Sequence, residues 1–386
     1  MNNKLSALKF VRNNKKQSGV MIIALALTFM TMYIMNFLFL TTQESFKALF
    51  IEQPKKVAFV DLCIDTMGVD STNCKTEEEL YDNLEARRED IMSQLESQEG
   101  ISEVIYTQCL YAHYQGIIGE IGYDFPLLEA EQIPSYIEHM DAKLIEGRMP
   151  ENSGEILVDS KVLNNQHMSL NGYFNESSYG KVFKVVGVLE SDNLTCVGTP
   201  QGYTNSGWYM VVQCENKNAD MNKALKNIGI STTEYDTIWD KANWKEMYKE
   251  MVTDQLDAAL IGILIVVMIF LAISIIVAYV SFMRNRVNEY CLYTSIGFAR
   301  SDVYGMMMRE IAIIFGGSLI LGAIITIIIM LLMGNLVLDN LGLVYRYLYP
   351  QQLLRIIAAF MAIVGLLQLP IIFTINNIKT IDLIED

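Results

Sequence analysis

The sequence predicts an α-helical membrane protein with four transmembrane helices and an α+β extracytoplasmic domain, in which βαβ units flank a β-rich insertion, between the first and second helices. Three observations carry that expectation. Hydrophobic residues form 52% of the 386 residues and the mean hydropathy is positive, which is more than an ordinary soluble chain carries. The apolar residues gather into runs at Val20–Leu40, Leu256–Phe282, Met306–Met333 and Leu354–Thr374, each as long as the ~20 residues that cross a bilayer. Between the first two runs the chain is polar, with acidic residues outnumbering basic ones by roughly two to one.

Taken in order, residues 1–19 interleave Leu5, Leu8, Phe10 and Val11 with Lys4, Lys9, Arg12, Lys15 and Lys16 and contain no acid, a composition suited to a helix on the inner leaflet. Residues 20–42 are too long for a signal-peptide core and lack a small-residue cleavage site, so they read as a retained first span. Residues 43–255 form the extracytoplasmic domain. Lys55–Ile64 is a strand candidate. Thr76 and Glu79 set a capping box for a helix with Leu80, Leu84, Ile91 and Leu95 on one face and Gly100 as its stop, before a second strand at Ile101–Leu110. Trp208–Cys214, a helix through Met221, Leu225 and Ile228, and Ser231–Ile238 repeat the pattern. Asp240–Asp254 reads as a stalk. Residues 256–386 then hold three spans, a cytoplasmic loop at 284–305 and a short external loop at Leu341–Gln351. Arg284, Arg286, Arg300 and Arg309 beside the second and third spans place that loop, and both termini, in the cytoplasm.

The loop itself has a helical repeat at Val287, Tyr290, Leu292 and Ile296, a stop at Gly297, and Ser301–Asp302 to cap the next helix. Its pattern Arg286-x-x-Glu289-Tyr290-x-Leu292-x-x-Ser295-Ile296-Gly297-Phe298-x-Arg300-x-Asp302-Val303 resembles the signature that follows the second span of FtsX-like permeases. Asn288 stands where that family often has Arg, and Phe298 where it often has a small residue. Leu144-Ile145-Glu146-Gly147-Arg148-x-Pro150, Gly154-Glu155-Ile156-Leu157-Val158, Gly172 and Lys181–Val188 resemble the β-rich subdomain of MacB-like ectodomains. The ending Ile378–Glu385 resembles the family's terminal segment, with Leu383 in place of the usual Pro. The chain is similar, over most of its length, to the FtsX-like/MacB-like (type VII) ABC transporter permeases.

That resemblance implies a permease subunit moved by a separate cytoplasmic ABC ATPase dimer. It also implies a second permease chain, identical or homologous, and mechanotransmission to the ectodomain without substrate crossing the bilayer core. Residues expected to couple to the ATPase are Arg286, Glu289, Tyr290, Leu292, Tyr293, Ile296, Gly297 and Arg300. The apolar and aromatic face of a short helix outside the membrane needs a cover, and Arg286 and Glu289, three apart, can pair with each other or with the ATPase. Two functions fit: export of, or resistance to, peptides and antimicrobials, and an FtsX-like signalling role controlling an extracytoplasmic partner such as a cell-wall hydrolase.

Chemistry is otherwise sparse. There is no Gly-x-x-x-x-Gly-Lys-Ser/Thr loop, so no cofactor is expected on this chain and any ATP is bound by the partner subunit. His113, His139 and His167 are scattered, with no metal-ligand spacing, and no nucleophile elbow is present, so neither a metal site nor an enzyme is expected. Five cysteines lie outside. Local pairing of Cys63 with Cys74 and of Cys196 with Cys214 would leave Cys109 over, and retention of all five as thiols is the alternative. The acidic ectodomain suits cationic peptides or basic protein surfaces, and membrane lipid completes the partner set, with no nucleic acid.

Overall fold

The computed structural model describes residues 7–377 apart from 51–55, 70–73, 75, 118, 175–181, 203–206, 216–219, 250–255 and 285–286. After α1 (Ala7–Asn13), α2 (Lys15–Phe50) runs for 36 residues and passes residue 42, the expected end of the first span, without a break. At 1.5 Å per residue such a helix is about 54 Å long, against a hydrocarbon thickness of about 30 Å. Its C-terminal turns, with Thr41, Ser45, Ala48 and Leu49 buried, belong to the next unit.

The chain continues through β1 (Val57–Asp61), α3 (Ile64–Met67), α4 (Glu77–Glu96), β2 (Ile101–Gln115), β3 (Glu120–Pro126), α5 (Ile133–His139), β4 (Lys143–Gly147), β5 (Glu155–Asp159), α6 (Ser160–Asn165), β6 (Tyr173–Phe174), β7 (Phe183–Glu190), β8 (Val197–Gly198), β9 (Trp208–Cys214), α7 (Met221–Asn227), β10 (Thr237–Trp239) and α8 (Lys241–Tyr248). Then come α9 (Leu256–Arg284), α10 (Val287–Ser295), α11 (Arg300–Met333), a π-helical turn at Gly334–Leu338 and α12 (Pro350–Asn377). Two compact units result. One is helical and comprises residues 1–40, 258–334 and 346–386; the other is α/β and comprises residues 41–257 together with Asn335–Tyr345.

In the α/β unit the first sheet has the order β10-β1-β9-β2-β3, with every neighbour antiparallel. The expected βαβ units are present but interlocked. β9 lies between β1 and β2, and β1 lies between β9 and β10, which is the split βαβ arrangement. The Thr76 hydroxyl accepts from the Glu79 amide at 3.2 Å to start α4, Glu77–Glu79 complement its dipole, Leu84, Ile91 and Leu95 bury one stripe, and Gly100 (φ +90°) follows its end. Alternation along β9 sorts its side chains. Met210 and Val212 join Val60, Val104 and the α4 and α7 stripes in one core, while Tyr209 and Val211 face a second core with Phe59, Tyr136, Leu157 and Leu189.

That second core is shared with the insertion, whose sheet runs β4-β7-β5-β8, with β6 also on β7. β5 and β7 pair in parallel, and α6 lies in the crossover between them. The insertion is fixed by a buried carboxylate. Glu155, 8% exposed, receives Arg148 through both guanidinium nitrogens at 2.8 and 2.5 Å, the Glu151 and Asn152 amides at 2.9 and 3.2 Å, and Asn152 Nδ2 at 3.1 Å. The Arg148 guanidinium and these amide donors hold its pKa well below the usual carboxylate range, outweighing its burial.

Among the described residues, two helices are long and apolar enough to cross a membrane: Lys15–Leu49 and Arg300–Leu338. Shorter apolar stretches occupy Met268–Ser281 in α9 and Leu353–Ala362 in α12. The small pair Ser318/Gly322 on α11 permits close approach. A Cβ at Gly322 would stand 3.0 Å from the Ala26 carbonyl oxygen of α2 and 3.1 Å from the Phe29 ring.

Candidate coupling site

The α10–α11 junction is built by local rules. α10 ends in a Schellman turn: the Phe298 amide donates to the Tyr293 carbonyl at 3.2 Å and the Gly297 amide to the Thr294 carbonyl at 3.1 Å, with Gly297 at φ +102°. The hydrophobic contact that accompanies such turns is made by Tyr293 and Phe298, edge to face with ring centroids 6.1 Å apart. The aromatic residue at 298 is therefore part of the stop itself. Thr294 and Ser295 turn their hydroxyls back to the Cys291 carbonyl at 2.8 and 2.9 Å, so neither projects a free donor outward.

The cap of α11 differs from expectation. Ala299, extended at φ −65° and ψ 148°, is the N-cap and contributes no side-chain bond, while Ser301 and Asp302 lie within the first turn. Asp302 there complements the helix dipole.

The predicted coupling residues divide into two groups. Leu292 (54% exposed), Ile296 (66%) and Arg300 are open to the surroundings, Tyr293 and Glu289 are half-buried, and Gly297 is exposed. Residues 289, 292, 293 and 296 share one face, as i, i+3, i+4 and i+7 spacing requires. Tyr290 does not belong to that surface: at 1% exposure it is packed inside, with Cys291 beside it at 4%. Helical spacing placed Tyr290 near the open face, and a tertiary neighbour claimed it instead. Arg286 lies outside the described residues. Sequence reasoning also passed over Glu310, buried at 2% exposure on α11, although an acid inside an apolar run is itself a legible signal.

The cysteine pairings are not formed. Cys196, buried just before β8, touches the Tyr123 hydroxyl of β3 at 3.6 Å, whereas Cys214 sits in the core beneath α4 and α7, which does not include Cys196. Cys63 lies against Thr66 at 3.0 Å, and Cys74 accepts from Asn83 Nδ2 at 3.5 Å. Burial pushes the Cys196 thiol up to about 12 and the Cys214 thiol to about 11, which removes the thiolate that exchange chemistry needs. Among the described residues no cluster of three His, Cys, Asp or Glu is placed to hold a metal ion.

Long apolar helices thus meet at a tightly turned junction flanked by Arg284 and Arg300. Residues 261–383, which contain that junction, match the family described as FtsX-like permease C-terminal. No curated protein matches the chain. Among solved structures, the periplasmic region of MacB from Actinobacillus actinomycetemcomitans is similar over 52% of this chain and 96% of its own length, at 14% identity and a TM-score of 0.27. The extracellular domain of the ABC-type transporter YknZ from Gram-positive bacteria is similar over 47% of this chain and 98% of its own, also at 14% and 0.27. Likenesses at that level assign neither fold nor function.

Proposed function

We propose that this chain is the membrane permease subunit of an ABC transporter, that a separate cytoplasmic ATPase docks on the outer face of α10, and that the α/β unit stands outside the cell as the moving part. The carrying observation is the α10 surface inside the matched permease domain: Leu292 and Ile296 are exposed on a rigidly terminated helix, beside Tyr293, Glu289 and Arg300. An exposed apolar face flanked by charge suits a protein groove better than water. Four spans, with both termini inside, two permease chains per complex, and export of peptides or antimicrobials complete the reading. The regulatory alternative uses the same machinery, and identification of the extracytoplasmic ligand separates the two.

Glu289→Lys tests the docking face. The ATPase should cease to co-purify and ATP turnover in reconstituted membranes should fall to that of the ATPase alone, while membrane insertion of the chain persists. Unchanged association and turnover would move the docking surface elsewhere. In a background without native cysteines, single cysteines near Gly154, at the exposed Ser153, and at Asn340 should react with an impermeant thiol reagent on whole cells, and cysteines near Asn13 and Ala299 should not. Labelling at Ala299 from outside would reverse the topology.

A further inference from the structure

The segment following α11 is short, lies between two apolar helices, and has the look of a simple connection. It clusters instead with the α/β unit. The π-helical turn Gly334–Leu338 ends in a second Schellman turn, with the Leu343 amide donating to the Leu338 carbonyl at 2.9 Å and the Gly342 amide to the Asp339 carbonyl at 3.0 Å. Leu338 and Leu343, the hydrophobic pair of that turn, are 2% and 4% exposed. The Tyr345 hydroxyl closes the loop on Asp339 at 2.8 Å. The segment is thus a small rigid body before any outside contact is counted.

Its outside contacts are specific. Asn165, at the end of α6, receives the Gln115 amide on Oδ1 at 2.7 Å and donates from Nδ2 to the Gln115 carbonyl at 2.9 Å and to the Leu341 carbonyl at 2.8 Å. One side chain therefore ties β2, α6 and the loop together. The Tyr114 hydroxyl, on a fully buried ring, donates to the Gly342 carbonyl at 2.6 Å. Asn164 Nδ2 donates to the Asp339 carbonyl at 3.4 Å. Gly342, at φ +62°, lies so close to α6 that a Cβ would stand 1.9 Å from the Lys161 carbonyl oxygen and 2.8 Å from the Asn165 amide. Both conformation and space demand glycine there.

We infer that Asn335–Tyr345 is a mechanical anchor that joins the outer end of α11 directly to the insertion through α6 and the end of β2. Chain crossings between the two units fall at 40/41, 257/258, 334/335 and 345/346. The first two enter through α2 and the start of α9. The last two deliver any displacement of α11 to α6, and α6 is in turn held by Asp159, whose carboxylate accepts from the Lys161 amide at 2.9 Å and from the Ser191 amide and hydroxyl at 3.0 and 2.7 Å. The anchor's existence rests on these contacts, and its use in transport rests on the permease reading above.

The experiment compares amide hydrogen exchange in the full chain in lipid nanodiscs for wild type, Tyr114→Phe, Asn165→Ala and Gly342→Ala. Exchange at Leu341–Leu343 and in α6 should quicken at least tenfold in each variant, with α4 and α7 unchanged as evidence that the unit remains folded. Unchanged exchange at α6 in Tyr114→Phe and Asn165→Ala would overturn the anchor. With the ATPase bound, a non-hydrolysable ATP analogue should alter α6 exchange in wild type and not in Asn165→Ala. A response that survived in the variant would show that displacement reaches α6 by another route and would also overturn it. No response anywhere in the wild-type α/β unit would sink the permease reading, and the nucleotide-free comparison would still decide the anchor.

Discussion

The two ends of α11 are flanked by the same backbone device in opposite settings. Before its N-terminal end, Gly297 ends α10 in a Schellman turn with open space around it, since an added Cβ would meet nothing within 4 Å. Beyond its C-terminal end, Gly342 makes the same turn with the Lys161 carbonyl 1.9 Å from where a Cβ would go. At the Gly297 turn glycine is required by backbone conformation alone, and the neighbouring surface is left exposed. At the Gly342 turn it is required by conformation and by contact, and the surface is already occupied by the chain itself. One turn presents a face, and the other closes a joint.

The sharpest way to break this contrast is to add one methyl group at each glycine. Gly342→Ala should cost roughly 3 kcal/mol or more, because left-handed strain and overpacking against backbone add together. The loss should appear as a lower thermal midpoint of the α/β unit. Next in size, Arg148→Ala unsettles the platform that carries α6 without touching either turn. Truncating the partner of the Glu155 carboxylate removes both guanidinium donors and should lower the unfolding midpoint by less than Gly342→Ala does. Because Arg148 and the surrounding amide donors hold Glu155 below its ordinary range, this stabilisation is fully present above the unfolded carboxylate value of about 4.3 and is lost as pH falls below it. Unfolding midpoints at pH 7 and pH 3.5 should therefore converge more closely in Arg148→Ala than in wild type. The smallest effect belongs to the Gly297 turn. Gly297→Ala should cost about 1 kcal/mol of local stability, Gly297→Asn less, and both should leave the α/β unit's midpoint unmoved. Equal losses at the two glycines would erase the distinction.

What was legible in the sequence follows the range of the signal. The Thr76 cap, the α4 stripe and the Gly297 stop are local, and each is set by residues within one or two turns. The strand order was less accessible, because β9 inserts between β1 and β2 through pairings such as Phe59 with Val211, which no periodicity encodes. Tyr290 shows the same limit on a smaller scale: spacing identifies a helix face, while tertiary packing decides which part of it is covered. Cysteine spacing misled for a related reason, since Cys196 and Cys214 are near in sequence, yet Cys196 packs on Tyr123 of β3 and Cys214 in the core beneath α4 and α7. The docking of Asn335–Tyr345 had no signature beyond Gly342, whose need for glycine arises from α6.

The closing of that joint also sets an order of events during synthesis. The Tyr114 hydroxyl finds its acceptor 228 residues later in the chain, and Asn165 finds one of its acceptors 176 residues later. A ribosome that has just finished Asp257 has therefore made an α/β unit lacking the carbonyls of Leu341 and Gly342 and the side chains of Leu338 and Leu343 that complete its packing. Domains commonly fold as units in the order in which they emerge. Here the last step of one unit waits for the helix of the other to be made and for the chain beyond it to return.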